Sequence, residues 1–141
     1  IGVNSRLDTL QAAILLEKLK IYDDEIAARN VIARRYTDAL KDVVKTPFVP
    51  EGYVSTWAQY TIGVRERAKL QEFLKTKNIP TAIYYPRPLH LQPAYGHYPA
   101  VGGKLPVSEQ VMGEVLSLPM HPYLDAAAQD GIIAAVRAFH A

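Results

Sequence analysis

The chain has 141 residues, a net charge of +2 and no cysteine; 49% of its residues are hydrophobic and 21% charged. That length supports one domain with a real core, and the balanced charge gives no footprint for nucleic acid or an anionic membrane. A disulfide framework and a Cys-based zinc site are excluded, and a cysteine-free chain fits a reducing compartment, so a cytoplasmic location is expected.

The first forty residues read as helix. Ser5 and Asp8 have the spacing of a capping box, which would satisfy free N–H groups at a helix start. Leu7, Leu10 and Ile14 follow at helical spacing, with Leu16 and Leu19 beside them. The polar run Tyr22-Asp23-Asp24-Glu25 is expected to kink or interrupt the helix, and Ile32, Tyr36 and Leu40 resume an i, i+4 stripe. A helix this long with apolar residues at both ends needs more than its own domain to cover it. A start at Ile1-Gly2-Val3-Asn4, without an initiator methionine or signal peptide, is expected of a piece of a longer protein.

Val43 to Pro50 reads as extended and Glu51-Gly52 as a turn. Trp57 to Val64 alternates as a strand, and Arg65 to Lys77 reads as a helix with Leu70, Phe73 and Leu74 turned inward. Ile79 to Tyr85 is expected as a second strand, with Pro80 placing it at an edge. Pro86 to Gly103 is a loop with a short helical turn near Gln92 to Tyr95. Leu105 to Val115 reads as a helix, Val115 to Pro119 as a third strand, and Asp125 as the cap of a last helix ending near Phe139. The whole predicts an α+β domain: a long N-terminal helix, then a small antiparallel or mixed sheet with helices on one face.

Three segments could carry chemistry. Gly2 to Asp8 sets an amide, Asn4, and a guanidinium, Arg6, just before a helix; that suits an anion such as phosphate, and equally a plain helix cap with a surface arginine. Tyr84-Tyr85-Pro86-Arg87-Pro88-Leu89-His90 puts aromatic hydroxyls and an imidazole at a strand end, where a base or sugar could stack, or where tyrosines could simply pack on the core. Ser117 to Tyr123 leads from a strand to a helix, with His121 expected as a turn residue. The histidines form neither H-x3-H nor H-E-x-x-H, so no zinc site is expected; G-x-S-x-G and G-x-G-x-x-G are also missing.

Taken in order, Gly2-x-Asn4-x-Arg6-Leu7-Asp8-Thr9-Leu10-Gln11-Ala12-Ala13-Ile14, then Ile79-Pro80-Thr81-Ala82, Tyr85-Pro86, Pro88-Leu89-His90 and Ser117-Leu118-Pro119-Met120-His121-Pro122, resemble the DegT/StrS family of sugar aminotransferases. The nearest subgroup looks like the enzymes that aminate a 3-oxo sugar acid on UDP for bacterial surface polysaccharide such as lipopolysaccharide O-antigen. The resemblance implies that residues 1–141 are the small C-terminal domain of a fold-type I, pyridoxal-phosphate-dependent homodimer. It implies glutamate as amino donor and a UDP-sugar as acceptor. The family's Schiff-base lysine lies upstream of the Gly2-x-Asn4-x-Arg6 motif, so no lysine here matches it and no catalytic residue is assigned to this chain. By the same resemblance Asn4 reaches the cofactor phosphate, Arg6, Tyr84 and Tyr85 meet the nucleotide sugar, and His90 is a further substrate contact. Many members carry His-Tyr where this chain has Tyr84-Tyr85; the change keeps a hydrogen-bonding aromatic and removes a titratable ring. A truncated, non-catalytic module that binds nucleotide sugar or dimerises is the alternative.

Overall fold

In the computed structural model, which describes residues 5–141, the chain opens with two helices in place of one. Helix α1 covers Thr9–Leu19 and α2 covers Tyr22–Leu40. The break falls at Ile21, whose φ of -113° and ψ of 4° leave the helical region. The acidic run that predicts an interruption is itself the first turn of α2, where Asp23, Asp24 and Glu25 meet the positive end of the helix dipole. Helix α1 starts one turn later than the Ser5 cap predicts. Asp8 is its N-cap, extended in backbone, and its carboxylate accepts from the Gln11 N–H at 2.8 Å.

Strand β1 is Tyr60–Gly63, helix α3 Arg67–Thr76, helix α4 Pro106–Glu114, strand β2 Val115–Leu118 and helix α5 Ala126–Phe139. Asp125 caps α5 as expected, accepting from the Ala128 N–H at 2.8 Å. The strands pair antiparallel, with Tyr60 opposite Leu118 and Ile62 opposite Leu116. Direct partners share a face, so these four side chains point the same way. All are buried against Tyr36 and Leu40 of α2, Leu70 and Leu74 of α3, and Ile132 and Val136 of α5.

The expected strand Trp57 to Val64 is shorter at its start, because Trp57 takes a positive φ of 48° that an extended ribbon does not accept. The expected strand Ile79 to Tyr85 reduces to one bridge, Ala82 to Ser117, with bonds of 3.2 and 2.8 Å. Pro80 and Pro86 bound that stretch and neither has an N–H to extend the ladder. A matching single bridge, Lys45 to Gly63, closes the other edge. The ribbon is therefore wholly antiparallel, in the order Lys45, β1, β2, Ala82. In the long loop the expected helical turn is a single one at Gln92 to Gly96, in which the Gln92 carbonyl accepts from Tyr95 and Gly96. A 3-10 turn at Leu89–Leu91 precedes it, which the sequence did not suggest. No helix among the described residues is long and apolar enough to cross a membrane.

Helix α1 buries none of its residues. Leu10 is 74% exposed and Leu16 63%. A contiguous apolar surface left in water is unfavourable by roughly 25 cal/mol per Å². The 141-residue chain should therefore self-associate, its weight-average mass rising with concentration in sedimentation equilibrium. The pair Leu10→Glu and Ile14→Lys should hold it at a lower mass over the same range. A strict monomer in both forms would contradict the role given to this helix.

Candidate functional site

The strand face opposite the core carries Thr61 and Ser117, directly opposed in the register. The backbone groups of Ser117 turn outward to Ala82, so Thr61 and Ser117 form a non-hydrogen-bonded pair, the kind that brings side chains close. Their hydroxyls lie 2.8 Å apart. Beside them is a cleft of about 310 Å³, lined by Gln59, Thr81, Tyr84, Ser117, Pro119 and Met120, among others. The second and third segments singled out in the sequence thus meet at one place.

Tyr84 stands at the lip of this cleft, 43% exposed, and Tyr85 is 70% exposed beside it. Their rings meet edge to face at 5.7 Å, and the peptide between them is cis. Two aromatic faces left open to solvent, each with a free-standing hydroxyl, suit a planar base or a sugar ring. The Gln59 side of the cleft is fixed from α2. Arg29 donates to the Trp57 carbonyl at 2.8 Å, and the Trp57 indole N–H donates to Asn30 Oδ1 at 2.9 Å. That clamp holds the chain just before β1 where Ala58 and Gln59 enter the cleft.

The other sequence candidates are placed differently. Arg6 is exposed in the segment leading into α1 and does not line this cleft. Asn4 lies outside the described residues. His90 is apart from the tyrosines: its side chain is 14% exposed and its Nε2 sits 3.1 Å from Glu109 Oε1 on α4. Glu109 also accepts from the Leu105 N–H at 3.2 Å. The bond from His90, then that from Leu105, holds the Glu109 carboxyl below the usual carboxylate range. His90 thereby ties the 3-10 turn to α4 and borders a second, apolar cleft of about 440 Å³ with Tyr95, Tyr98 and Leu105. His121 is exposed and opens a turn closed by Leu124, the role its flanking prolines suggest. A cleft of about 810 Å³ lies at the far end of the ribbon; Lys41, Lys45 and Arg65 share its walls with Asp42, Glu66 and Glu114, and none of the described sequence candidates lines it.

Arg29, Asn30, Gln59 and Glu109 had no signal of their own in the sequence. Arg29 reaches Trp57 across 28 positions and His90 meets Glu109 across 19, distances that no local spacing reveals.

Residues 1–137 match the DegT/DnrJ/EryC1/StrS aminotransferase family. The chain belongs to that family. It is 50% identical over 137 residues to the UDP-2-acetamido-2-deoxy-3-oxo-D-glucuronate aminotransferase of Pseudomonas aeruginosa, covering 96% of this chain and 37% of that one. It is 38% identical to the dTDP-3-amino-3,6-dideoxy-alpha-D-galactopyranose transaminase of Aneurinibacillus thermoaerophilus, covering 98% of this chain and 38% of that protein. A crystal structure of a DegT/DnrJ/EryC1/StrS aminotransferase from Brucella abortus superposes with a TM-score of 0.93 at 58% identity, over 99% of this chain and 38% of that one. This chain therefore spans well under half the length of these relatives, and the α+β architecture is the family's own.

The His90–Glu109 contact gives a pH test. Glu109 has a lower pKa folded than unfolded, so its part of the stability is present above the ordinary value of about 4.3 and lost as pH falls through the folded value. In His90→Ala, the Glu109 carboxyl followed by carbon-13 NMR should titrate higher, with the Leu105 N–H leaving a residual depression. An unchanged Glu109 titration would remove His90 as its partner.

Proposed function

We propose that this chain is the C-terminal part of a pyridoxal-phosphate-dependent enzyme that moves an amino group, from glutamate, onto a keto sugar nucleotide. The acceptor is a UDP-linked 3-oxo sugar acid and the product serves bacterial surface polysaccharide, in a cytoplasmic homodimer. The observation that supports this most is the half-identity, along almost the whole chain, to an aminotransferase named for that class of acceptor. The open tyrosine pair, beside a cleft that also carries Gln59, Thr81 and Ser117, agrees with it in chemistry.

Pyridoxal phosphate supplies the electron sink for amino-group transfer and needs an amine to hold it covalently. Lys18, Lys20, Lys41 and Lys69 are ion-paired with Glu25, Glu17, Asp38 and Glu66. No lysine lines the Tyr84 cleft. In this reading the covalent seat of the cofactor belongs to the rest of the enzyme. What this chain contributes is contact. Asn4 would hold the cofactor phosphate. Arg6 offers a planar fork to a sugar carboxylate or a diphosphate. Tyr84 and Tyr85 cover the nucleotide sugar, and His90 shapes the loop behind them.

The chain alone should then be inactive. Mixed with pyridoxal phosphate and borohydride, it should give no stoichiometric adduct on one specific lysine by mass spectrometry. Such an adduct would overturn the division of labour, while tight UDP-sugar binding without it would favour the non-catalytic module.

In the full-length enzyme, Asn4 and Arg6 should separate by role. Asn4→Ala removes a hydrogen bond to an anion, on the order of 1.5–3 kcal/mol. Cofactor affinity should fall roughly ten- to a hundredfold at 1.4 kcal/mol per decade. Arg6→Ala should leave the cofactor spectrum alone and weaken nucleotide-sugar binding, most for an acidic sugar, with Arg6→Lys restoring part. Separate titrations of cofactor and substrate decide it: loss of cofactor in Arg6→Ala with retention in Asn4→Ala would reverse the assignment.

A further inference from the structure

Glu25 is a buried carboxylate that the proposed chemistry does not use. It sits in the first turn of α2 with its side chain 10% exposed. Its Oε1 accepts from Lys18 Nζ at 2.6 Å and from the Tyr123 hydroxyl at 2.5 Å. Lys18 lies in the last turn of α1; Tyr123 lies between β2 and α5, 98 positions from Glu25. One oxygen thus joins three segments. A carboxylate withdrawn from water is unfavourable unless paired and hydrogen-bonded, so both donors are needed to keep it there.

The electrostatics of all three groups agree on one state. Glu25 is held below the usual carboxylate range, first by Lys18 and then by Tyr123. The Lys18 ammonium and the Tyr123 phenol are both pushed up, each first by its bond to Glu25. An ionised lysine, an ionised carboxylate and a neutral phenol form a closed set. Among the described residues, α1 has no buried side chain to steady it by packing.

We propose that Glu25 is a positioning residue: the Lys18–Glu25–Tyr123 triad fixes the attitude of α1 on the domain, and so places Arg6 relative to Tyr84 and Tyr85. This rests on the reading that those residues share a substrate site. The lever is long. At 1.5 Å per residue, Asp8 is about 15 Å along the helix from Lys18, so a tilt of about 20° at the anchored end displaces the other by roughly 5 Å. A misplacement of about 1 Å already suffices to lose a hundredfold in rate at a site that works by orientation.

The absence of cysteine makes the test direct. Spin labels on Gln11→Cys in α1 and Ala134→Cys in α5, both exposed positions, report the attitude of α1 by electron–electron double resonance in the Leu10→Glu, Ile14→Lys background, where this face is not covered by a second copy, diluted with unlabelled protein of the same background. A control pair on Arg34→Cys and Ala134→Cys reports the body of the domain. The parent should give one narrow α1 distribution. Glu25→Gln and Lys18→Met should broaden it by about 4 Å, the arc of the same tilt at Gln11, about 10 Å along the helix from Lys18. Tyr123→Phe should broaden it less, and Lys18→Arg should keep it narrow, while the control pair stays narrow throughout. A narrow α1 distribution in Glu25→Gln would overturn the proposal. So would equal broadening of the control pair, which would make the triad a general stabiliser. Failure of the Arg6 assignment would appear in the substrate titration with these distances unchanged, so the two ideas fail separately.

Discussion

The fold hangs on Tyr36. Its ring packs 5.0 Å from that of Tyr60, and its hydroxyl donates to the Pro119 carbonyl at 3.0 Å. Burial pushes the Tyr36 phenol up, so it remains a donor throughout the ordinary pH range. One side chain of α2 therefore fixes both the face of β1 that enters the core and the point at which β2 ends. Because Pro119 also lines the Tyr84 cleft, the packing of the core sets one wall of the site. The second aromatic repeats the logic: the Tyr60 hydroxyl shares a hydrogen bond with Thr37 at 2.8 Å, closing α2 onto the ribbon from the other side.

The sequence made some of this legible. The i, i+4 stripe of Ile32, Tyr36 and Leu40, the inward Leu70 and Leu74, and the Asp125 cap were visible because each depends on near neighbours. The order of elements and the helices on one face also follow from such local patterns. The missed features are those that tertiary contacts decide. Asp8 displaced Ser5 as the cap, since the helix starts where the side chain and the extended backbone coincide. The stretch from Ile79 to Tyr85 has the composition of a strand, yet prolines at both ends leave it a single bridge to Ser117. Tyr84 and Tyr85 were candidates through the family resemblance, while the residues alone left open whether they pack on the core; the structure leaves both exposed. His90 looked equivalent, and its engagement by Glu109 depends on how the loop folds back on α4.

Helix α1 and the ribbon divide two requirements that one small domain cannot meet together. The ribbon, with its core face covered by helices, is self-sufficient. The leading helix keeps its apolar side chains in solvent and is joined to the body largely through charge, by Lys18 and Glu25. An apolar face left in solvent and still held at a defined angle is better anchored by a polar contact at one end than by packing along its length. Ion pairs concentrate orientation in one place, whereas apolar packing spreads it over the face that has to remain open.

The single bridge between Ala82 and Ser117 has a consequence of its own. The amides that bond across from β1 to β2 are released to exchange with solvent only when the core opens, whereas the lip of the cleft is fastened by one pair of hydrogen bonds. Its opening is a local fluctuation at a small fraction of the cost of global unfolding. The tyrosines thus ride on a segment that breathes while the wall behind them stays shut. Ser117 marks the seam between these regimes, its peptide groups on the moving side and its hydroxyl bonded to Thr61 on the fixed one.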